Sequence, residues 1–101
     1  MSDFYILRDK VPVPATLLEW GRWFEKNERI VSQEELNGVC VSTVFLGVDH
    51  SFFRGSLPAL FETMIFGGEH DGYQARSCTW HEAEEEHTKA WDLVAGIKVD
   101  A

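Results

Sequence analysis

The sequence predicts an α+β fold: a single, mainly antiparallel sheet of four to five strands with two helices on one face, in the order β-α-β-β-β-β-α. Two segments have the apolar spacing of helices, and each begins with a capping box. Between them, apolar runs are joined by short connections, and Asn37-Gly38 has the form of a tight hairpin turn. With 101 residues, of which 45% are apolar, we expect one domain over residues 1–101.

The helices are indicated by matching start signals. Thr16-Leu17-Leu18-Glu19 places a hydroxyl and, three residues later, a carboxylate where they can bond the free amides of a helix start, so we expect a helix over Leu17–Lys26. Thr79-Trp80-His81-Glu82 repeats this pattern and predicts a second helix over Trp80–Ala95. The proline-rich segment Lys10–Pro14 is expected to be a stiff, extended connector before the first helix.

The strands differ in how apolar they are, and this difference predicts their places in the sheet. Arg29–Leu36 precedes the hairpin turn and is polar, which is typical of an edge strand. Val39–Val48 follows the turn and is apolar on both sides, which is typical of a central strand. The other strands are expected where shorter apolar runs occur, at Phe4–Leu7, Ala59–Phe66 and Tyr73–Cys78.

One face of the predicted sheet is expected to be uncovered, because two helices cover only one face of four or five strands. The residues that we expect on this uncovered face are apolar: Val39, Val41, Phe45, Phe61 and Ile65. A monomer rarely exposes an apolar patch of this size. The sequence therefore predicts either a homodimer through the sheet or a binding site on the sheet face.

Charge and composition limit the classes of binding partner and the cellular locations that we expect for this protein. A net charge of −8 argues against direct nucleic-acid binding, which uses Lys and Arg to neutralise phosphates. The acidity fits plain solubility, and an imitation of DNA that occupies a basic groove is a sharper alternative. We expect no membrane association and a cytoplasmic location, because the sequence has neither a long apolar run nor a secretory signal pattern. The isolated Cys40 and Cys78 fit reduced thiols in such a location.

Four polar residues next to the apolar strands form the candidate polar site. Asp49 and His50 follow the central strand, at a position where functional side chains are common. Glu62 shares a strand side with apolar residues, where an unpaired carboxylate is costly. His87 lies on the helix stripe that we expect to be buried, which makes it the expected partner of Glu62. A structural pair that orients the helix and an acid–base or ligand-holding site both fit this pattern.

Metal and cofactor motifs receive little support. His81 and His87 are six residues apart rather than four, so they do not form the His-Glu-x-x-His zinc motif. Glu84-x-x-His87 has the spacing of half a di-iron site, but one half-motif outside a helical bundle carries little weight. The sequence contains no nucleophile elbow, Walker loop or dinucleotide fingerprint. We therefore expect no metal, no cofactor and no catalytic residue.

Three motifs together carry a family resemblance: Val41-Ser42-Thr43-Val44-Phe45-Leu46-Gly47-x-Asp49-His50, Phe61-Glu62-Thr63-Met64-x-Phe66-Gly67-Gly68 and Thr79-Trp80-x-Glu82-Ala83-x-x-x-His87. On these motifs the chain resembles a family of small uncharacterised proteins encoded by tailed bacteriophages and prophages. The resemblance covers most of the chain. It implies a phage setting rather than a mechanism, because no activity is established for the family.

The leading hypothesis is a small, acidic accessory protein of phage type that binds a host protein or a companion phage protein, for instance to block a defence system. It rests on the resemblance, the charge and the lack of catalytic motifs. One alternative is a small-molecule or nucleotide-binding protein, or a small hydrolase, in which Asp49, His50, Glu62 and His87 converge in one pocket. Another is a structural component of a phage particle.

Overall fold

The fold is α+β, as predicted, but within the described residues its strands form two antiparallel sheets rather than one. The computed structural model describes residues 3–49 and 57–96. β1 and β2 pair as a hairpin, and the larger sheet has the order β3-β4-β5-β6, so β3 is an edge strand and β4 is central, as predicted. The elements are β1 (Phe4–Arg8), β2 (Val11–Ala15), α1 (Leu17–Lys26), β3 (Ile30–Leu36), β4 (Val39–Phe45), β5 (Phe61–Phe66), β6 (Gln74–Ser77) and α2 (Trp80–Ala95).

The proline-rich segment expected to be a connector is strand β2. Pro12 and Pro14 lie two residues apart, so the backbone nitrogens of both can face away from β1. Proline has no amide proton to donate, so no hydrogen bond of the hairpin is lost at these positions. The turn at Asp9-Lys10 has positive φ angles of 50° and 68°, which suit a two-residue hairpin but are usually supplied by Asn or Gly. Lys10 Nζ lies 5.3 Å from the centre of the Trp80 ring, so the turn also contacts the start of α2.

Both helices begin where the sequence predicts, and the reciprocal capping box forms in α1, whereas α2 has the Thr79 cap alone. The Thr16 hydroxyl accepts from the Glu19 amide at 3.2 Å, and the Glu19 carboxylate accepts from the Thr16 amide at 2.9 Å. In α2 the Thr79 hydroxyl accepts from the Glu82 amide at 3.1 Å, and Gly96 ends the helix with a positive φ of 71°. In the described part of the chain, no helix has the length and apolar character needed to cross a membrane.

α2 covers one face of the larger sheet, which we call the covered face. Small side chains on the helix, Ala83 and Ala90, allow close packing against the strands. The residues that point towards α2 alternate along β4 and β5, and all have no exposed surface: Val41, Thr43, Phe45, Phe61, Thr63 and Ile65. The hydrophobic core therefore lies between α2 and this face.

The prediction that Val39, Val41, Phe45, Phe61 and Ile65 lie on the uncovered face is therefore wrong. Four of them are fully buried on the covered face, and Val39 is half-buried and packs against the same core. The physical reason is size: Phe45 and Phe61 pair at one end of β4 and β5, and with Val41 and Ile65 they make this side the more apolar one, so covering it removes the most apolar surface from water.

α1 extends the covered face at the end of β4. The Trp23 and Phe24 rings lie 5.6 Å and 6.1 Å from the Phe45 ring, centre to centre. The approach depends on Gly47, which has a positive φ of 70°. A Cβ atom at Gly47 would lie 2.5 Å from Trp20 Nε1 and 2.7 Å from Phe24, closer than side-chain carbons pack. The absence of a side chain at this position thus lets α1 contact the core.

Candidate functional site

The second face of the larger sheet, which we call the open face, mixes apolar and polar side chains. α1 and α2 pack on the covered face, and no described element covers the open one. Phe66 is the most prominent apolar residue here, with 49% of its surface exposed. Strand register places the following residues on this face: Ile30, Gln33, Glu35, Cys40, Ser42, Val44, Glu62, Met64, Phe66, Gln74 and Arg76.

A shallow depression of about 260 Å³ lies in the middle of the open face. Its floor is formed by β4 and β5, and apolar side chains dominate it. Arg29 forms part of the lining at one end, just before the start of β3. The lining residues are Arg29, Ser42, Val44, Leu46, Glu62, Met64 and Phe66.

Glu62 is held on the open face by two residues of β6. Its Oε2 atom accepts from Gln74 Nε2 at 2.6 Å and from Arg76 Nε at 3.2 Å. The side chains of Glu62 and Arg76 are 16% and 31% exposed, so the ion pair is partly shielded from water. The carboxylate therefore has a fixed position beside the depression.

The predicted Glu62–His87 pair is wrong, because the two side chains lie on opposite faces of the sheet. Glu62 points to the open face with Met64, whereas Thr63 between them points to α2. His87 lies on the buried side of α2, facing the sheet, and only 5% of its surface is exposed. The four-residue pocket required by the small-molecule and hydrolase alternatives is therefore not formed.

His87 is part of a hydrogen-bonded chain on the covered face. Its Nε2 atom lies 2.8 Å from Glu34 Oε1 and its Nδ1 atom lies 2.7 Å from Thr43 Oγ1. Thr43 Oγ1 lies 2.7 Å from Thr63 Oγ1. A neutral imidazole satisfies all these contacts when Nε2 donates to the carboxylate, Nδ1 accepts from Thr43, and Thr43 accepts from Thr63.

This chain of hydroxyl, imidazole and carboxylate has the groups of a hydrolytic triad but not its accessibility. Thr43 has no exposed surface, so a substrate carbonyl cannot reach its hydroxyl. The chain instead connects α2 to β3, β4 and β5 through His87, Glu34, Thr43 and Thr63. The geometry supports the structural interpretation of His87.

Asp49 lies at the end of the sheet, away from both networks. Its Oδ1 atom accepts from the Ala59 amide at 3.1 Å, which joins the two described residues 49 and 59 across the intervening segment. Burial raises the pKa of the nearby Cys78 thiol, and the charges of Glu82 and Asp49 raise it further. His50 lies outside the described residues, so its predicted role with Asp49 stays a prediction.

Sequence reasoning missed the partners of two predicted site residues, Glu62 and His87. Gln74 and Arg76 share a side of β6 and lie opposite Met64 and Glu62, so the hairpin register contained a signal for them. Thr43 and Thr63 gave only a weak signal, since a hydroxyl in mid-strand fits either face. Among residues 3–49 and 57–96, no group of three or more His, Cys, Asp or Glu side chains is placed to hold a metal ion.

Comparisons with known proteins identify no relative, so a functional argument depends on the geometry described above. No family model, no curated protein and no solved structure matches the chain.

Proposed function

We propose that the protein acts by binding a protein partner against the open face of its larger sheet, rather than by catalysis. The observation that carries this proposal is the half-exposed Phe66 beside an apolar depression, on a face that no described element covers. Contiguous exposed apolar surface on a small domain commonly marks an interaction site. Aromatic and Met side chains are also enriched at the centres of protein interfaces.

The shape of the depression favours a protein surface over a small ligand. Small-molecule pockets usually enclose about 300–1,000 Å³ and bury most of the ligand. The depression measures about 260 Å³, below this range, and most of its lining comes from β4 and β5. A side chain from a flat or convex partner surface fits such a site.

The open face also offers a fixed polar group. The carboxylate of Glu62 is positioned by Arg76 and Gln74, so binding would not require it to be ordered first. Met64 beside it has a flexible side chain that adapts to the partner's shape. Apolar contact with a pre-positioned polar group is the combination found at the centre of specific interfaces.

The setting comes from the sequence. The resemblance to phage and prophage proteins supports a host protein or a companion phage protein as the partner. The net charge of −8 favours encounter with a partner of positive charge. In this setting, binding to a host defence protein would inhibit it by occupying its surface.

Affinity capture with matched variants tests the proposal. Phe66→Ser removes the exposed aromatic group of the open face, and Leu18→Ser removes a similarly exposed apolar side chain from α1. Immobilised wild type and both variants are incubated with lysate from the host cell and with purified phage particles. A protein retained by the wild type and by Leu18→Ser, but lost with Phe66→Ser, supports the proposal. Equal capture by all three proteins would contradict it.

A further inference from the structure

We infer that the protein partner of the open face inserts a basic side chain, Lys or Arg, into the depression and pairs it with Glu62. This inference rests on the proposed function, because it names the chemical group that the same face receives. Three observations carry it: one oxygen of the Glu62 carboxylate accepts no bond from the described residues, apolar surface surrounds this carboxylate, and the chain has a net charge of −8.

The two oxygens of the Glu62 carboxylate differ in their contacts. Oε2 accepts both hydrogen bonds from β6, from Gln74 Nε2 at 2.6 Å and from Arg76 Nε at 3.2 Å. Among residues 3–49 and 57–96, no side chain or amide donates a hydrogen bond to Oε1. Each oxygen of an ionised carboxylate accepts hydrogen bonds, so Oε1 has acceptor capacity that this part of the chain does not use.

A partner that covers the open face has to supply a donor to this oxygen. The Glu62 side chain is 16% exposed, so water still reaches part of it. A bound partner would remove this water, and a buried carboxylate oxygen without a donor is costly. A cationic donor forms the stronger hydrogen bond with a carboxylate, which favours Lys or Arg over a neutral group.

The surface beside Glu62 fits the apolar stem of a basic side chain. Val44 lies directly opposite Glu62 on β4, and Met64 lies on the same side of β5, two residues further along. Both side chains line the depression. Lys and Arg pack their methylene groups on apolar surface of this kind while the charged end reaches a polar group. A short donor such as a Ser hydroxyl would leave the apolar lining uncovered.

The charge balance also favours a basic group. The net charge of −8 attracts positively charged surfaces and repels acidic ones. Arg76 pairs with Oε2 only, and a carboxylate that is shared by two basic side chains is a known arrangement in buried ionic triads. Arg29 is further from Glu62, since β4 lies between them and neighbouring strands are about 4.8 Å apart.

Phe66 adds a second requirement for the partner. It follows Glu62 by four residues on the same side of β5, which corresponds to a distance of about 13 Å along the strand. We therefore expect the partner surface to present a basic side chain and an apolar group separated by a similar distance. The basic side chain enters the depression, and the apolar group packs on the exposed ring of Phe66.

Titration with small probes tests the depression without a known partner. The chain has only two methionines, Met1 and Met64, so carbon-13 labelling of the methionine methyl groups gives an NMR signal from the depression that Met64→Leu assigns. n-Butylammonium represents the Lys side chain, whereas n-butyrate and n-butanol are matched probes of negative and zero charge. Each is added at constant ionic strength up to roughly 100 mM, because a ligand of so few atoms binds weakly.

We expect n-butylammonium to shift the Met64 signal with a dissociation constant in the millimolar range. The other two probes should bind at least about tenfold more weakly, because they cannot donate a charged hydrogen bond to Glu62. Glu62→Gln keeps the shape of the side chain but removes its charge, and it should lose this preference. Glu35→Gln makes the same charge change elsewhere on the open face, opposite Cys40, and should bind n-butylammonium like the wild type. Thermal unfolding of each variant checks that the fold is retained.

The outcomes separate this inference from the proposed function. Equal shifts with all three probes, the absence of a shift with n-butylammonium, or a preference that Glu62→Gln retains would overturn the inference. If a protein is nevertheless captured through Phe66, the proposed function stands and only the basic side chain is excluded. If n-butylammonium binds through Glu62 but no protein is captured through Phe66, the proposed function is overturned, while the selectivity of the depression for a basic group stands.

Discussion

The covered face and the open face of the larger sheet are formed by the same strands, but their side chains differ in exposure to solvent. On β4, Thr43 points to the covered face and has no exposed surface, whereas its neighbours Ser42 and Val44 point to the open face and are partly exposed. Each face also carries a polar network, centred on His87 in one case and on Glu62 in the other. The two networks differ in their access to solvent.

This difference separates stability from function. The His87 network is enclosed, so its hydrogen bonds replace those that water would otherwise make, and its loss leaves buried groups unpaired. The Glu62 network is reachable from solvent, so its loss costs little stability but alters the surface that the proposed partner would meet. The presence of a histidine or carboxylate among apolar residues does not by itself distinguish these roles.

The largest contrast is expected from aromatic truncation. Phe61→Ala on the covered face should lower the free energy of unfolding by about 3–5 kcal/mol, because it leaves a cavity in the core. Phe66→Ala on the open face should change it by less than about 1 kcal/mol, because half of this side chain is already in water. Chemical denaturation measures both values. Similar losses for the two variants would contradict the assignment of the faces.

The next largest effect is expected from removal of the buried hydroxyl of Thr43. Thr43→Val keeps the shape of the side chain but leaves Nδ1 of His87 without a donor, so we expect a loss of about 1–3 kcal/mol in the free energy of unfolding. Thr43→Ser retains the hydroxyl and should lose less. Ser42→Ala, one residue away on the open face, should stay within about 0.5 kcal/mol of the wild type. If the Thr43→Val protein is as stable as the Ser42→Ala protein, the proposed contribution of the buried hydrogen-bond network around His87 is refuted.

A smaller effect on stability is expected from the ion pair of the open face. Arg76→Ala should cost about 1 kcal/mol or less, because the pair is partly exposed. Its larger effect should be on partner binding, measured by the affinity-capture experiment above. Lys89→Ala, which removes an exposed ion pair with Glu86 on α2, is the control and should leave binding unchanged. Equal binding by both variants would argue against a role for the Glu62 network.

The smallest effect concerns alkaline pH and Tyr73, which packs against the core of the covered face. Burial raises the pKa of its phenol, and the charge of Glu86 raises it further. The fold therefore favours the neutral phenol, and this contribution is full below the unfolded pKa of about 10 and is lost as pH rises through the folded value. Tyr73→Phe should lose stability less steeply above about pH 10 than the wild type in pH-dependent thermal unfolding. Identical slopes would contradict this contribution.

Local signals allowed the helices and the central hairpin to be predicted. The N-cap hydroxyls of Thr16 and Thr79 fix helix starts through bonds within four residues, and both helices have the predicted bounds. The Asn37-Gly38 turn has the expected positive φ angles of 51° and 81°. These features depend on neighbouring residues, so tertiary packing does not need to be known.

The features that depend on long-range contacts were not predictable in the same way. Strand alternation divides residues into two sets but does not say which set a helix will cover. This ambiguity caused the wrong assignment of Phe45 and the wrong pairing of Glu62. Strand β2 was missed because Pro12 and Pro14 disfavour a central strand, and its hairpin turn at Asp9-Lys10 lacks the usual Asn or Gly.

Gly47 has a consequence for the solubility of the molecule. A side chain at this position would displace Trp20 and Phe24, and with them the part of α1 that shields Phe45. The sheet would then expose aromatic surface on both the covered face and the open face. Unlike the open face, the newly exposed surface around Phe45 would lack polar groups that make contacts selective. Such a molecule would be prone to aggregation. The hydrogen atom that takes the place of a side chain at Gly47 thus keeps the aromatic surface of the core covered.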